Sequence, residues 1–276
     1  MKILIPTDFS KQADKAIDFA VNISRKSKNT ELFLLHTYIP IQTGFLSRDI
    51  QKKDEAITRE RLEVKLNFIT DNLKKKYKGI KLTTNLVSGA NPEAITDFAN
   101  KKRIDLIVMG TKGASGVKEV LIGSVASNVI KSTTKPVIII PENYHYNGVK
   151  KLSFATDYRD EDMNALKQLK NISDAIAASV ELVHYSEPEL EEALENYKIN
   201  FYGQKIKSKH KFRNITFKRI TGEDFNDTLT KYEKQNKIDM IAMVTYRRKG
   251  FLNLIFDKSL TKKIACHTKI PLLVLH

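Results

Sequence analysis

Met109-Gly110-Thr111-Lys112-Gly113 is followed, after nine intervening residues, by Gly123-Ser124-Val125. Residues of these types at this spacing suit phosphate binding. Glycines at 110 and 113 let backbone approach a ligand with no Cβ in the way, and they permit positive φ. Gly123-Ser124 opens a helix whose unpaired N–H groups and positive end favour an anion. The Ser124 hydroxyl adds a donor for a phosphate oxygen. No Gly-Lys-Ser/Thr completes a Walker loop, and no G-x-G-x-x-G follows the N-terminal apolar run. The usual phosphoryl-transfer and dinucleotide signatures are therefore missing. Taken alone, glycines in a loop are equally turn chemistry.

Other residues with chemical potential are few. Asp8, within Pro6-Thr7-Asp8, has two readings: a carboxylate for ribose or base donors, or the N-cap of a helix from about Ser10 to Lys26. Lys112 can reach a phosphate, although a solvated loop lysine is the simpler reading. With Glu119 it is all the loop offers for catalysis, so any phosphoryl chemistry there is expected to be weak. The six histidines, 36, 145, 184, 210, 267 and 276, show no paired metal spacing. His36 and His184 recur at one strand end, which points to a structural role in both halves. Cys266 falls in an expected helix from Thr261 to His267 as a buried, inert thiol. No G-x-S-x-G elbow or Cys/His nucleophile arrangement is present.

The elements that must position these residues are legible in the apolar pattern. Ile3–Ile5, Leu32–Leu35, Leu82–Val87, Leu106–Met109 and Val137–Ile140 are too short for helices and rich in branched side chains. They read as strands of a parallel sheet, most of them buried on both faces. Ala13, Ala16, Ile17, Phe19, Ala20, Val21 and Ile23 form a stripe at helical spacing. Asn91-Pro92-Glu93 reads as a helix start, with Asn91 as N-cap and proline at the first helical position. Alternating strands and helices make a doubly wound α/β domain. Ligands in such sheets sit at the carboxyl ends of the strands near the switch point, which selects Asp8, Thr37 and the loop opened by Gly110.

The sequence also repeats itself. Lys2–Phe9 aligns with Lys151–Tyr158, Glu31–His36 with Val180–His184, Arg103–Met109 with Lys237–Met243, and Pro136–Ile140 with Pro271–Leu275. Two domains are expected, 1–145 and 146–276, with their boundary in the polar stretch Glu142 to Val149. The second should carry strands near 151–155, 180–185, 215–220, 239–244 and 272–275.

These motifs together resemble the universal stress protein family, whose nucleotide-binding members carry Gly-x2-Gly-x9-Gly-Ser/Thr at this position. Asp8 matches the family's aspartate after strand one, and Leu34-Leu35-His36-Thr37 matches its strand-two signature, with threonine in place of the commoner valine. The resemblance is tight over 1–141 and loose over 150–276. It implies two tandem five-stranded parallel-sheet domains, Rossmann-like and of the adenine nucleotide alpha hydrolase-like kind. It further implies ATP (or AMP/ADP), with or without Mg²⁺, in the first domain. Carried over by position, Asp8 and Thr37 would meet the adenine and ribose, and Pro6 and Met109 would form apolar walls. Gly110 and Gly113 would pass along ribose and phosphates, and Gly123, Ser124 and Val125 would hold the phosphates. Family members commonly dimerise through the fifth strand; here Val137–Ile140 and Leu272–Leu275 are available to pair within one chain, which leaves a homodimer of chains as a further option. A regulatory nucleotide-binding module is the leading expectation, against a slow ATPase or phosphotransferase, or a protein-interaction scaffold with a vestigial loop.

The second half has lost the loop. Val244 stands where Gly110 does, tolerating positive φ poorly and placing a branched Cβ against the ligand path. Lys258 and Ser259 align with Gly123 and Ser124. Asp157 survives in a structural role, and Arg247-Arg248-Lys249 reads as a solvated basic loop, with anion binding as the alternative. No comparable site is expected there.

Length and composition agree with this picture. The 276 residues suit two domains of about 140 each. The balance of 47 Lys+Arg over 32 Asp+Glu, a net +15, attracts phosphate-rich partners. Lys74-Lys75-Lys76 and the Lys205–Lys211 stretch lack interleaved aromatics, which argues against nucleic acid. A single cysteine excludes an internal disulfide and fits a reducing compartment. No apolar run is long enough for a signal peptide or a membrane span, so a cytoplasmic protein is expected.

Overall fold

Short runs of branched residues form the strands, and amphipathic stretches cover them. The computed structural model describes residues 1–27, 29–40, 47–111, 122–159, 162–186, 192–212, 215–245 and 269–276. The chain divides into two units, Met1–Lys135 and Pro136–His276. The first contains β1 (Lys2–Pro6), α1 (Lys11–Ser24), β2 (Glu31–Tyr38), α2 (Arg48–Lys76), β3 (Lys81–Ser88), α3 (Asn91–Lys101), β4 (Leu106–Gly110) and α4 (Ser124–Ser132). Its strands run parallel in the order β3-β2-β1-β4, with Ile3 opposite both Leu32 and Leu106. Ile3, Leu4, Ile5 and Leu106 to Val108 are wholly buried, as expected when helices cover both faces of a parallel sheet. The chain winds from β1 to β2 to β3, then crosses back to the far side of β1. That reversal opens a crevice beyond the carboxyl ends of β1 and β4.

The second unit contains β5 (Val137–Ile140), β6 (Lys151–Ala155), α5 (Asp162–Ile176), β7 (Ser179–Ser186), α6 (Glu192–Lys209), β8 (Ile215–Thr221), α7 (Phe225–Asn236), β9 (Met240–Val244) and β10 (Leu272–Leu275). Its strand order is β5-β10-β9-β6-β7-β8. Only β5 against β10 is antiparallel among the described pairs, with Leu273 opposite Ile138. The second-half strands start and end within one residue of the expected runs.

The repeat extends to hydrogen bonds. Thr7 Oγ1 accepts from the Phe9 amide at 3.1 Å, and Thr156 Oγ1 from the Tyr158 amide at 3.0 Å. Phe9 and Tyr158 both take the left-handed conformation, with φ of 64° and 60°. His36 Nδ1–H donates to the Thr7 carbonyl and His184 Nδ1–H to the Thr156 carbonyl, each at 2.7 Å. The two histidines thus tie β2 and β7 to the turns after β1 and β6. Asp105 accepts from the Lys2 amide at 2.7 Å; Asp239 accepts from the Lys150 and Lys151 amides at 2.8 and 2.9 Å. Asp239→Ala would leave both amides without this partner and is expected to cost the second unit about 1–3 kcal/mol. An unchanged urea midpoint would contradict that expectation.

One helix start differs from the sequence reading. Asn91 is not the N-cap of α3. The Ala90 carbonyl accepts the first helical bond, from the Ala94 amide at 2.9 Å, and no side chain caps the helix. Asn91 is drawn one residue into the helix because its amide group is engaged elsewhere, with Thr37. The expected helix around Cys266 lies outside the described residues. Among the described residues, no helix is long and apolar enough to cross a membrane.

Candidate functional site

A cleft in the first unit is lined by Pro6, Thr7, Asp8, Ala13, Leu35, Thr37, Asn91, Ile95, Met109, Gly110, Thr111, Gly123, Ser124, Val125 and Ala126. Pro6, Asp8, Thr37, Met109, Gly110, Gly123, Ser124 and Val125 are thereby brought together, from parts of the sequence up to more than a hundred residues apart. Gly113 lies outside the described residues, as do Lys112 and Glu119. Asn91, Thr7, Leu35, Ile95 and Thr111 are cleft residues that the sequence reading did not assign to it. Asn91 carried a signal, since Asn-Pro follows β3 at the carboxyl edge of the sheet, but helix capping was the more local explanation.

Each side of the cleft has a distinct electrostatic character. At the β4 side, α4 opens through Gly123 with no side-chain cap and no acidic residue in its first turn. The Ser124, Val125 and Ala126 amides at that end carry the positive pole of the helix. The Gly123 amide donates to the Thr111 carbonyl, which pins the helix start to the end of β4. By contrast, α1, α2 and α7 are capped by Ser10, Ser47 and Asp224. Among the helices whose N-caps are described, α3 and α4 begin without a side-chain cap, and both begin at the cleft.

At the β1 side stands Asp8. It is not the N-cap of α1; Ser10 is, its hydroxyl accepting from the Ala13 amide at 3.2 Å. Asp8 Oδ1 accepts from the Ser10 amide at 3.0 Å, which holds the carboxylate at the turn after β1. Burial, and then the negative charge of Asp8, push the Asp14 carboxyl above its ordinary pKa, so this side of the cleft is acidic. The arrangement pairs an anion-binding helix end with a carboxylate that accepts from hydroxyl or amine donors.

Gly110 acts by space, and neither Gly110 nor Gly123 acts by left-handed backbone. Gly123 has φ −58° and ψ 155°, and Gly110 is not among the positive-φ residues, so the left-handed freedom expected of this loop is not used at either position. A Cβ at Gly110 would sit 3.0 Å from the Gln12 carbonyl oxygen, because α1 crosses β4 there. Gly110→Val should destabilise the first unit by about 1–3 kcal/mol through overpacking, seen as a lowered melting temperature. An unshifted melt would show that α1 gives way easily.

In the second unit the equivalent positions carry larger side chains. The pairs Ile3–Leu106 and Leu152–Met240 set the two repeats in register and put Val244 where Gly110 stands. Val244 is extended strand, so its Cβ, and not its φ, is what distinguishes it. Tyr185 follows His184 as Thr37 follows His36. Phe225 lies twelve residues before the left-handed Lys237, as Asn91 lies twelve before the left-handed Arg103. Where Thr37 hydrogen-bonds Asn91, the rings of Tyr185 and Phe225 meet edge to face at 5.1 Å. Asp157 is engaged by Arg159 at 3.4 Å. Arg247, Arg248, Lys249, Lys258 and Ser259 lie outside the described residues.

The second unit also holds a buried polar network with no sequence motif. Thr156 Oγ1 donates to the wholly buried Asp162 at 2.6 Å, with the Tyr202 hydroxyl 3.4 Å from the same carboxylate. The buried Glu195 accepts from Lys198 at 2.7 Å and faces His184 at 3.3 Å. The Lys198 hydrogen bond outweighs burial and holds the Glu195 carboxyl below its ordinary pKa. Among the described residues, no group of three or more His, Cys, Asp or Glu could hold a metal ion.

Comparison with known proteins agrees with the repeat. A family model described as "Universal stress protein family" matches residues 1–141 and again 148–276. Universal stress protein MJ0531 of Methanocaldococcus jannaschii is 35% identical over 141 residues, covering 50% of this chain and 81% of that protein. Universal stress protein MJ0577 of the same organism is 31% identical over 153 residues, covering 50% and 93%. The crystal structure of a universal stress protein from Archaeoglobus fulgidus aligns over 99% of this chain and 97% of its own, with a TM-score of 0.74 at 19% identity, a likeness of fold. The chain belongs to the universal stress protein family and carries that family's domain twice in tandem.

Proposed function

We propose that the chain is a cytoplasmic regulatory module that binds ATP, or AMP or ADP, in the cleft of its first domain. The observation that carries this reading is the polarity of the cleft. An uncapped helix N-terminus stands at one side and a carboxylate at the other, with Pro6, Leu35, Ile95 and Met109 as apolar wall between. That sequence of surfaces fits a phosphate chain, a sugar with hydroxyl donors and a flat base. Pro6, Asp8, Thr37, Met109, Gly110, Gly113, Gly123, Ser124 and Val125 are the contacts proposed.

The second domain, 146–276, serves in this reading as a degenerate partner of the first, 1–145. Val244 and the Tyr185–Phe225 contact support the loss of its site. The two repeats are proposed to pair through their fifth strands, a reading supported by the antiparallel β5–β10 ladder. The direct test is to denature freshly purified protein and quantify any released nucleotide by chromatography. About one per chain is the expected result. Two per chain would show that the second domain binds as well; none, with no binding of added ATP, would leave the scaffold reading.

A further inference from the structure

Asn91 is a polar side chain withheld from its local task. An asparagine at a helix start ordinarily caps it. Here α3 is entered through Ala90 without a side-chain cap, and Asn91 Oδ1 instead accepts from the Thr37 hydroxyl, 54 residues away, at 2.5 Å. The fold does not require an amide at this place, because α7 begins at the matching position with Phe225 and takes its cap from Asp224. With Oδ1 held by Thr37, the Nδ2 hydrogens are the polar surface that Asn91 offers to the cleft it lines. Among the described residues no group accepts from them.

On the reading that the cleft holds a nucleotide, we infer that Asn91, positioned by Thr37, selects the base, favouring adenine over guanine. Strand order fixes which end is which. The phosphate-binding helix α4 follows β4, whereas Thr37 and Asn91 lie beyond β2 and β3, on the opposite side of β1. The base therefore falls at the Thr37–Asn91 end. A fixed N–H donor there suits an edge that presents a ring-nitrogen acceptor, as N1 of adenine does. Guanine presents N1–H where adenine presents its N1 acceptor, and its O6 acceptor stands in the place of the adenine amino group, so a donor fixed opposite ring position 1 meets another donor.

The test is calorimetric titration of the full chain with ATP, GTP and inorganic triphosphate, for the natural protein, Asn91→Leu and Thr37→Val. The natural protein should favour ATP over GTP by about tenfold or more. Asn91→Leu should erase most of that ratio, and Thr37→Val, which keeps the side-chain volume, should move it the same way by a smaller factor. Triphosphate reports the α4 end separately. A ratio unchanged in both variants would overturn the role of Asn91 while the nucleotide reading stood. A natural protein that binds neither nucleotide would overturn both.

Discussion

Gly123→Asp is expected to weaken ATP binding by at least about 100-fold while leaving the melting temperature unchanged or raised. The two effects separate because one side chain acts on two different partners. The backbone at 123, with φ −58° and ψ 155°, accepts any L-residue without strain. Aspartate is a favoured N-cap, and a negative charge at a helix N-terminus stabilises it by about 0.3–1 kcal/mol. The same carboxylate occupies the ground proposed for a phosphate. Two unit charges about 4 Å apart repel by about 4 kcal/mol in a partly screened protein environment. About 2.7 kcal/mol already corresponds to 100-fold, so the margin survives substantial screening. Titration of nucleotide into both proteins, beside thermal melts, decides the matter. Undiminished affinity would remove α4 from the site, and a collapsed melt would show that the N-cap accepts no side chain.

Glu233→Gln is expected to stabilise the second unit at pH 8 by about 1–3 kcal/mol and to change nothing at pH 4. Glu233 lies on α7 at 8% exposure. Burial, outweighing the opposing charge of Lys234, pushes its carboxyl up to about 7 from an ordinary 4.5. In the folded chain it therefore holds its proton between pH 4.5 and 7, where the unfolded chain has released it. Stability must fall as pH rises through that window and level off above it. The interval is about 2.5 pH units at 1.36 kcal/mol each, an upper bound of about 3 kcal/mol. Glutamine has the same shape and no charge, so the slope should vanish. Glu181 behaves oppositely. Burial raises it, but hydrogen bonds from Tyr232 and Lys151 outweigh burial and hold it below its ordinary value. Its contribution is present above about pH 4.5 and is lost on further acidification. Urea melts at pH 4, 6 and 8 of the natural protein and Glu233→Gln check this directly. Parallel pH profiles would show that water or a neighbouring group satisfies the Glu233 carboxylate.

These two residues mark the limits of what the linear pattern conveys. The place of Gly123 at a helix start was legible because it is local: glycine, then serine, at the opening of a helical run. Glu233 was not, because α7 reads as a polar helix, with Asn226, Asp227, Thr228, Lys231, Lys234 and Gln235 around it. Which of its polar residues turns inward depends on what packs against the helix. Asn91 failed for the same reason in reverse. The sequence offers a helix start and an amide beside it, and the nearest partner for that amide is a backbone N–H. The tertiary structure supplied a better one in Thr37.

From sequence alone came the strand runs, the duplication, the tandem α/β architecture and the glycine spacing that points to phosphate. All of these follow from side-chain periodicity, turn chemistry and covalent order, which are properties of neighbours in the chain. The tertiary structure decided which polar groups face the cleft, that Gly110 is needed for space and not for φ, and that Tyr185 meets Phe225 where Thr37 meets Asn91. It also set which carboxyls are held ionised or neutral. Each of these depends on groups brought together from distant parts of the chain, where burial and hydrogen-bond partners, and not local preference, set the free energy.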